Sequence, residues 1–242
     1  ICNRILVNFT FQRMELQEKK DLLTYLYRFI SEIKRNHFER LVKERTRYLT
    51  VVLEDIYQSH NASAVLRSCD VFGVQDVHII ENRYKYQVNP DVALGSAKWL
   101  SLHKYNNGEF NTPECIEKLR SEGYRIVATT PHKDEETIHG FPLAKGKVAL
   151  LFGTEYEGLT DEAIGQADEY VMIPMHGFTE SLNISVSAAI FLYQLTTELR
   201  NSGVPWHLNP GEELDIKLMW VKKVIKSADL LEKHFFRNYG KP

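Results

Sequence analysis

The sequence predicts an α/β protein: a mostly parallel sheet with helices on both faces, flanked by terminal helices. Three observations predict it. Five apolar runs of strand length, at 49–53, 77–80, 125–129, 147–152 and 170–174, read as strands buried on both faces. Helical segments alternate with these runs, the order expected of β–α–β units and a parallel sheet. The segments before and after this alternation show helical spacing and no strand.

Taken in order, residues 14–45 carry an apolar stripe of period near 3.6 with no Gly or Pro, and read as helix. The stripe runs through Leu16, Leu22, Leu23, Leu26, Phe29, Ile30 and Ile33, then Phe38, Leu41 and Val42. The pattern changes at Tyr48, where 49–53 is a β-branched apolar run. A helix at about 61–72, with Asn61 where an N-cap belongs, leads into strand 77–80. A helix at about 113–122 leads into 125–129, and strands 147–152 and 170–174 follow. Two helices, roughly 183–200 and 212–236, close the chain, with Gly203 and Pro205 just past the end of the first. The expected division is a helical extension over 1–47, a central domain over 48–200 and a second helical extension over 201–242.

The composition is that of a soluble globular protein, 43% hydrophobic and 26% charged, with no apolar run long enough to span a membrane. The stretch 5–11 is too short and too polar-flanked for a signal peptide. Cys2, Cys69 and Cys115 form no C-x-x-C pair, and the nine histidines form no H-x-x-x-H pair. A disulfide framework, a metal site and a membrane partner are therefore not expected, and a cytoplasmic location is.

The net charge of −2 conceals an asymmetry. From Lys34 to Arg47 there are six basic and two acidic residues, and from Lys217 to Lys241 seven and two. Such terminal concentrations are the footprint of a polyanion-binding surface, and Arg40, Lys43, Arg45, Arg47, Lys222, Lys223 and Lys226 are its candidate RNA contacts. Solvated helix faces would give the same pattern. The loop 81–98 interleaves Arg83, Tyr84, Lys85 and Tyr86, with Trp99 nearby. That composition suits base stacking and phosphate contact, and suits packing aromatics equally.

Three segments place small, amide or charged residues where an apolar strand meets a loop or helix, which is where open α/β sheets put their sites. The first, His60 to Asp70, holds Asn61 and Arg67, and its arginine is readable as a surface residue paired with Asp70. The second, Leu151 to Gly158, ends a strand in Gly153 and turns through Glu155, with Thr160-Asp161-Glu162 capping a short helix. It lacks the Lys-Ser/Thr of a phosphate loop, and no G-x-G-x-x-G occurs. In the third, Ile173 to Ser187, Ser181, Asn183, Ser185 and Ser187 alternate with Leu182, Ile184 and Val186 as in a strand. Ser181 or Asn183 as an N-cap is the alternative reading. The helix beyond, through Ala188, Ile190, Phe191 and Leu195, is apolar nearly all round and reads as buried.

Together the strings N-x-S-A-x-L-R-x-C-D, F-G-x-E…G and I-P-M-x-G-x-x-x-S-L-N-x-S-V-x-A resemble, in order and separation, the three motifs of the SpoU/TrmH RNA 2′-O-ribose methyltransferases. The resemblance runs from about Tyr48 to Arg200. It implies a sheet whose C-terminal part is threaded into a trefoil knot (the SPOUT type), S-adenosylmethionine as cofactor, RNA as partner and a homodimer. It implies cofactor contacts at Thr129, Gly153, Ile173 and Leu182, and a catalytic Arg67 supported by Asn61, Glu155, Ser181 and Asn183. The implied reaction is methyl transfer to a ribose 2′-hydroxyl, foremost of a tRNA D-loop guanosine. Ribosomal RNA and the anticodon loop are the alternative substrates, and a catalytically dead RNA-binding or chaperone protein is the non-enzymatic alternative. His176 and Glu180 depart from the TrmH-type third motif, which bears on the identity of the RNA more than on the chemistry.

Overall fold

A computed structural model describes residues 14–87, 89, 93, 95–130 and 136–239. Cys2, the stretch 5–11, Lys241 and the rest of 1–13 and 240–242 lie outside the described residues. The chain divides into two compact units: Thr46 to Trp206, and the segment up to Arg45 together with the segment from His207 onward.

The central unit is a seven-stranded sheet in the order β3-β2-β1-β6-β4-β7-β5. The strands are β1 (Leu49–Glu54), β2 (Asp76–Ile80), β3 (Ser101–Tyr105), β4 (Arg125–Thr129), β5 (Glu136–Thr137), β6 (Val148–Phe152) and β7 (Glu169–Met172). Every pairing is parallel. Thus β6 returns between β1 and β4, and β7 between β4 and β5.

The pleat sends alternate residues to opposite faces, and both faces are covered. Val51, Leu53, Leu150 and Phe152 pack with α3 (Ser59–Phe72) and α6 (Ile184–Asn201) through Val65, Leu66, Phe191 and Leu192. On the other face Val52, Ile126 and Leu151 pack with α4 (Thr112–Ser121) and α5 (Asp161–Gly165) through Ile116, Leu119 and Ala163. This double cover is why β1, β2 and β6 are wholly buried and mostly apolar, with β6 an unbroken apolar run. Cys69 and Cys115 are buried free thiols.

The terminal unit holds α1 (Leu16–Leu26), α2 (Glu32–Leu41), α7 (Pro210–Val224) and α8 (Ala228–Asn238). Its core is Leu22, Leu26, Phe38, Leu218 and the fully buried Trp220, whose ring lies 5.6 Å from that of Phe38. Lys19–Asp215 and Lys217–Glu39 pairs, 2.7 and 2.9 Å, border it.

Several expected elements differ. The single helix over 14–45 breaks at Ile30, which is extended, and restarts on Ser31, whose hydroxyl accepts from the Lys34 N–H. The helix over 212–236 likewise breaks between Val224 and Ala228. Asn61 is not an N-cap: α3 begins two residues earlier, so Asn61 lies in its first turn. The alternation over 181–187 is no strand, because Asn183 caps α6 by accepting from the Ser185 N–H. Nor is α6 buried all round, since Val186, Ile190 and Tyr193 are exposed.

At the β2–β3 edge lies a buried polar network. Asp76 accepts from Arg47 Nε at 2.8 Å and pairs with His103 Nε2 at 3.1 Å. The His78 ring stacks 4.6 Å from His103, with its Nδ1 3.0 Å from the Tyr105 hydroxyl. Burial, then the His103 charge, pushes the His78 pKa from 6.5 down to about 3. Burial alone would raise the Asp76 carboxyl, but the His103 hydrogen bond and the Arg47 charge outweigh it and hold the group well below the usual carboxylate range. Between pH 6.5 and 3 the unfolded chain therefore binds a proton at His78 that the folded chain does not. Stability is fully present above 6.5 and declines on acidification, at no more than about 1.4 kcal/mol per pH unit for this one group. Asp76 adds to the loss below its own unfolded pKa. Denaturant titrations from pH 7 to 4 should show the decline, and a His78→Gln protein should show a flatter one.

Candidate active site

The β strands being parallel, their C-terminal ends share one edge of the sheet, and the site is built there from the loops that leave it. Strand β1 ends in Glu54 and the loop after it begins with Asp55, both buried. Glu54 accepts from Thr112 Oγ1 (2.5 Å) and from Thr160 N and Oγ1 (both 2.9 Å), tying β1 to the starts of α4 and α5. Asp55 adopts φ 55°, a left-handed conformation that short polar side chains tolerate. Its Oδ1 accepts from the N–H groups of Asn82, Arg83 and Tyr84 at 2.8, 2.9 and 3.4 Å, fixing the loop after β2. The sequence reading passed over both carboxylates. The only available signal was an acidic pair at the end of a buried strand.

The three singled-out segments do converge. Asn61 Nδ2 donates to Glu155 Oε2 at 3.3 Å, and Asn183 Nδ2 donates to Glu155 Oε1 and to Asn61 Oδ1, each at 3.2 Å. Gln58 and Ser185 complete the set: Asn61 Nδ2 also donates to Gln58 Oε1 at 2.7 Å, and Asn183 Oδ1 accepts from Ser185 N and Oγ. Both amides are thereby fixed in orientation, with the Glu155 carboxylate held between them. A small crevice lies beside the cluster, lined by Tyr57, Asn61, Thr154, Glu155 and Ile184.

Glu155 stands in a tight turn. Thr154 N donates to Gly158 O at 2.8 Å and Gly158 N to Thr154 O at 3.1 Å, with Gly158 at φ 72°. A Cβ on Gly153 would lie 2.1 Å from the Gly158 carbonyl. Glycine is required there by the turn itself, before any ligand is considered.

Arg67 and Ser181 lie outside this cluster. Arg67 is exposed on α3, and its side chain makes no ion pair or hydrogen bond among the described residues; it does not pair with Asp70. It is six residues beyond Asn61, about 9 Å along the axis at 1.5 Å per residue. Ser181, His176 and Glu180 are exposed.

Of the expected cofactor contacts, Thr129 ends β4, Gly153 follows β6 and Ile173 follows β7, three strands adjacent in the sheet. Leu182 precedes the start of α6. Thr129 Oγ1 donates to Leu151 O at 2.7 Å, tying β4 to β6 near this edge. The backbone of 173–182 makes no backbone–backbone hydrogen bond among the described residues.

The candidate RNA contacts divide. Arg45 is buried with its guanidinium 5.3 Å from the Trp220 ring, Arg47 is held by Asp76, and Lys222 is held by Glu232 at 2.6 Å and is nearly buried. Arg40, Lys43, Lys223 and Lys226 are exposed. Among the described residues no helix is long and apolar enough to cross a membrane.

The SpoU rRNA methylase family model matches residues 48–193. The chain is 44% identical over 207 residues to the tRNA (guanosine(18)-2′-O)-methyltransferase of Borreliella burgdorferi, covering 86% of this chain and 93% of that one. Its Thermus thermophilus counterpart is 31% identical over 195 residues, 80% of this chain and 98% of the relative. Among solved structures, the A. aeolicus TrmH/SpoU tRNA modifying enzyme superposes with a TM-score of 0.69 at 28% identity, over 80% of this chain and all of the other. A family match over most of the central unit, relatives alike along nearly their whole length and a shared fold agree: the chain belongs to the SpoU methylase family.

Proposed function

We propose that this chain transfers a methyl group from S-adenosylmethionine to the ribose 2′-hydroxyl of a guanosine in the tRNA D-loop, acting as a homodimer. The observation that carries the reading is the Asn61–Glu155–Asn183 cluster, assembled from three distant segments. The relatives named for guanosine 18 of tRNA point to the substrate. A dead RNA-binding protein gives no reason for a carboxylate clamped between two amides at a strand edge.

When bound, S-adenosylmethionine supplies a methyl group on a sulfonium, already activated toward an oxygen nucleophile. The backbone of 173–182, which makes no backbone–backbone hydrogen bond among the described residues, and the ends of β4 and β6 suit its adenine and its polar tail. Thr129, Gly153, Ile173 and Leu182 would hold it. Glu155 is the acceptor-only group of the cluster, so it orients the 2′-hydroxyl and accepts its proton as the carbon–oxygen bond forms. Asn61 and Asn183 keep that carboxylate in place. Arg67 stays protonated; it grips the phosphate beside the target ribose and stabilises charge developing on the 2′-oxygen. Positioning an activated donor can supply much of the rate.

Two further features belong to this reading. A chain threaded as a trefoil knot, as the family resemblance implies, is compatible with β6 and β7 lying between earlier strands. Val71, one turn beyond Arg67 on the same face of α3, and Val186, Ile190 and Tyr193 of α6 are exposed and apolar. A second copy covering them would bring Arg67 to the subunit boundary. Exposed Arg40, Lys43, Lys223 and Lys226 suit phosphate contacts.

The test is transfer of tritium from labelled donor to total tRNA and to ribosomal RNA, with nuclease mapping of the product. Label at one D-loop guanosine is expected. Label confined to ribosomal RNA, or RNA binding without label, refutes the reading.

A further inference from the structure

Next to the Asn61–Glu155–Asn183 cluster lies a second, larger cavity of about 240 Å³, lined by Glu54, Asp55, Arg83, Tyr84, Glu157 and Asp161 among others. None of these residues has a part in the methyl transfer set out above. At roughly 30 Å³ per water molecule, the space holds a purine base comfortably. Thr154 lines both this cavity and the crevice at the cluster, so the two share a wall. At the rim the Tyr57 and Tyr84 rings meet at a centroid distance of 5.2 Å, both 42% exposed. Tyr57 belongs to the crevice and Tyr84 to the cavity. Tyr84 is not on a loose loop, since its backbone N–H, with those of Asn82 and Arg83, is held by Asp55. Exposed aromatics held in place over a polar cavity are the means by which single-stranded RNA bases are stacked.

We propose that this cavity is a base subsite, which takes the guanine of the nucleotide being methylated. Tyr84, backed by Tyr57, stacks on the base, and the Asp161 carboxylate accepts from its N1–H and N2–H₂. This rests on the tRNA-guanosine reading above. The choice of base follows from hydrogen-bonding capacity. A carboxylate only accepts, and it can take two parallel donors. Guanine alone presents two adjacent donors on its Watson–Crick edge; adenine and cytosine turn a ring acceptor toward the carboxylate, and uracil offers one N–H between two carbonyls. Asp161 is exposed, and its side chain has no ion pair or hydrogen bond among the described residues, so the carboxylate is available. Glu157 is engaged instead with Arg83 at 2.8 Å, a solvent-exposed pair easily exchanged for a backbone phosphate.

The experiment compares kcat/KM on tRNA transcripts carrying guanosine, inosine or adenosine at the methylated position, for wild type, Asp161→Asn and Tyr84→Ala. Inosine lacks only the N2 amino group. For wild type, inosine should cost roughly 10- to 100-fold, the range of one lost hydrogen bond to a charged group, and adenosine more. Asp161→Asn should lose a similar factor on guanosine, and its guanosine-to-inosine ratio should shrink to about threefold or less. Tyr84→Ala should lower kcat/KM on all three templates alike. Donor affinity by calorimetry should be unchanged in both variants, separating base binding from misfolding. Wild-type discrimination that persists undiminished in Asp161→Asn overturns the subsite while leaving the tRNA reading intact. So does equal methylation of all three templates by wild type. A wild-type protein inactive on the guanosine transcript overturns the tRNA reading, and the subsite with it.

Discussion

Replacing Arg67 with alanine should reduce methyl transfer by at least about 10²- to 10³-fold, the loss that accompanies removal of a group stabilising a developing oxyanion. The same variant should keep its donor affinity and its melting temperature. The structure makes this a clean experiment. Arg67 is exposed on α3, and its side chain makes no ion pair or hydrogen bond among the described residues. Nothing in the fold depends on its charge, and alanine is the better helix former. A surface substitution of this kind usually changes stability by less than about 0.5 kcal/mol. A loss of activity is then chemical and not structural. Arg67→Lys should recover little, because an ammonium cannot reproduce the planar two-donor grip on a phosphate. Measured turnover with labelled donor, set beside donor binding by calorimetry, decides it. An Arg67→Ala protein with wild-type turnover removes the arginine from the mechanism and leaves Glu155 with its two amides as the whole of it.

The legible parts of this molecule are those where one physical rule dominates. Strands buried on both faces are mostly apolar, so the apolar runs of β1, β2, β4, β6 and most of β7 stand out in the sequence, even with His78 inside one of them. Strand β3 does not. It is an edge strand, paired on one side only and mostly half-exposed, so His103 and Lys104 are tolerated within it. Strand β5 is two residues long and has no pattern to read. The break at Ile30 has no Gly or Pro to mark it; a serine cap is the whole signal, and serine is common inside helices too. The alternation over 181–187 misleads for a different reason. Its polar members are spent on the start of α6, with Asn183 serving the helix cap, Glu155 and Asn61 at once. Asn61, Glu155 and Asn183 of the candidate site were legible as motifs, yet the two buried carboxylates beside them were not. Glu54 and Asp55 act on Thr112, Thr160 and the 82–84 backbone, partners 27 to 106 residues away that only the fold brings near.

Gly153→Ala should be the most damaging single methyl group that can be added to this site. The new Cβ would lie 2.1 Å from the carbonyl carbon and oxygen of Gly158 and 2.2 Å from the Leu159 nitrogen. These are backbone atoms, so no side-chain rotation relieves the contact, and the turn must open. Opening it breaks the paired Thr154–Gly158 hydrogen bonds and moves Glu155 away from Asn61 and Asn183. It also strains Thr160, which is held on Glu54 by two bonds of 2.9 Å. Overpacking alone costs about 1–3 kcal/mol, and the lost hydrogen bonds add to it. The variant should therefore melt several degrees lower and lose both donor binding and methyl transfer. Gly165→Ala is the control. It sits at the end of α5 with nothing within 4 Å of the added Cβ. Alanine there should be neutral or stabilising by up to about 1 kcal/mol, with full activity. Thermal unfolding and donor calorimetry on the two variants separate the cases. A Gly153→Ala protein that binds donor like wild type would show that the turn holding Glu155 yields more easily than its backbone contacts imply.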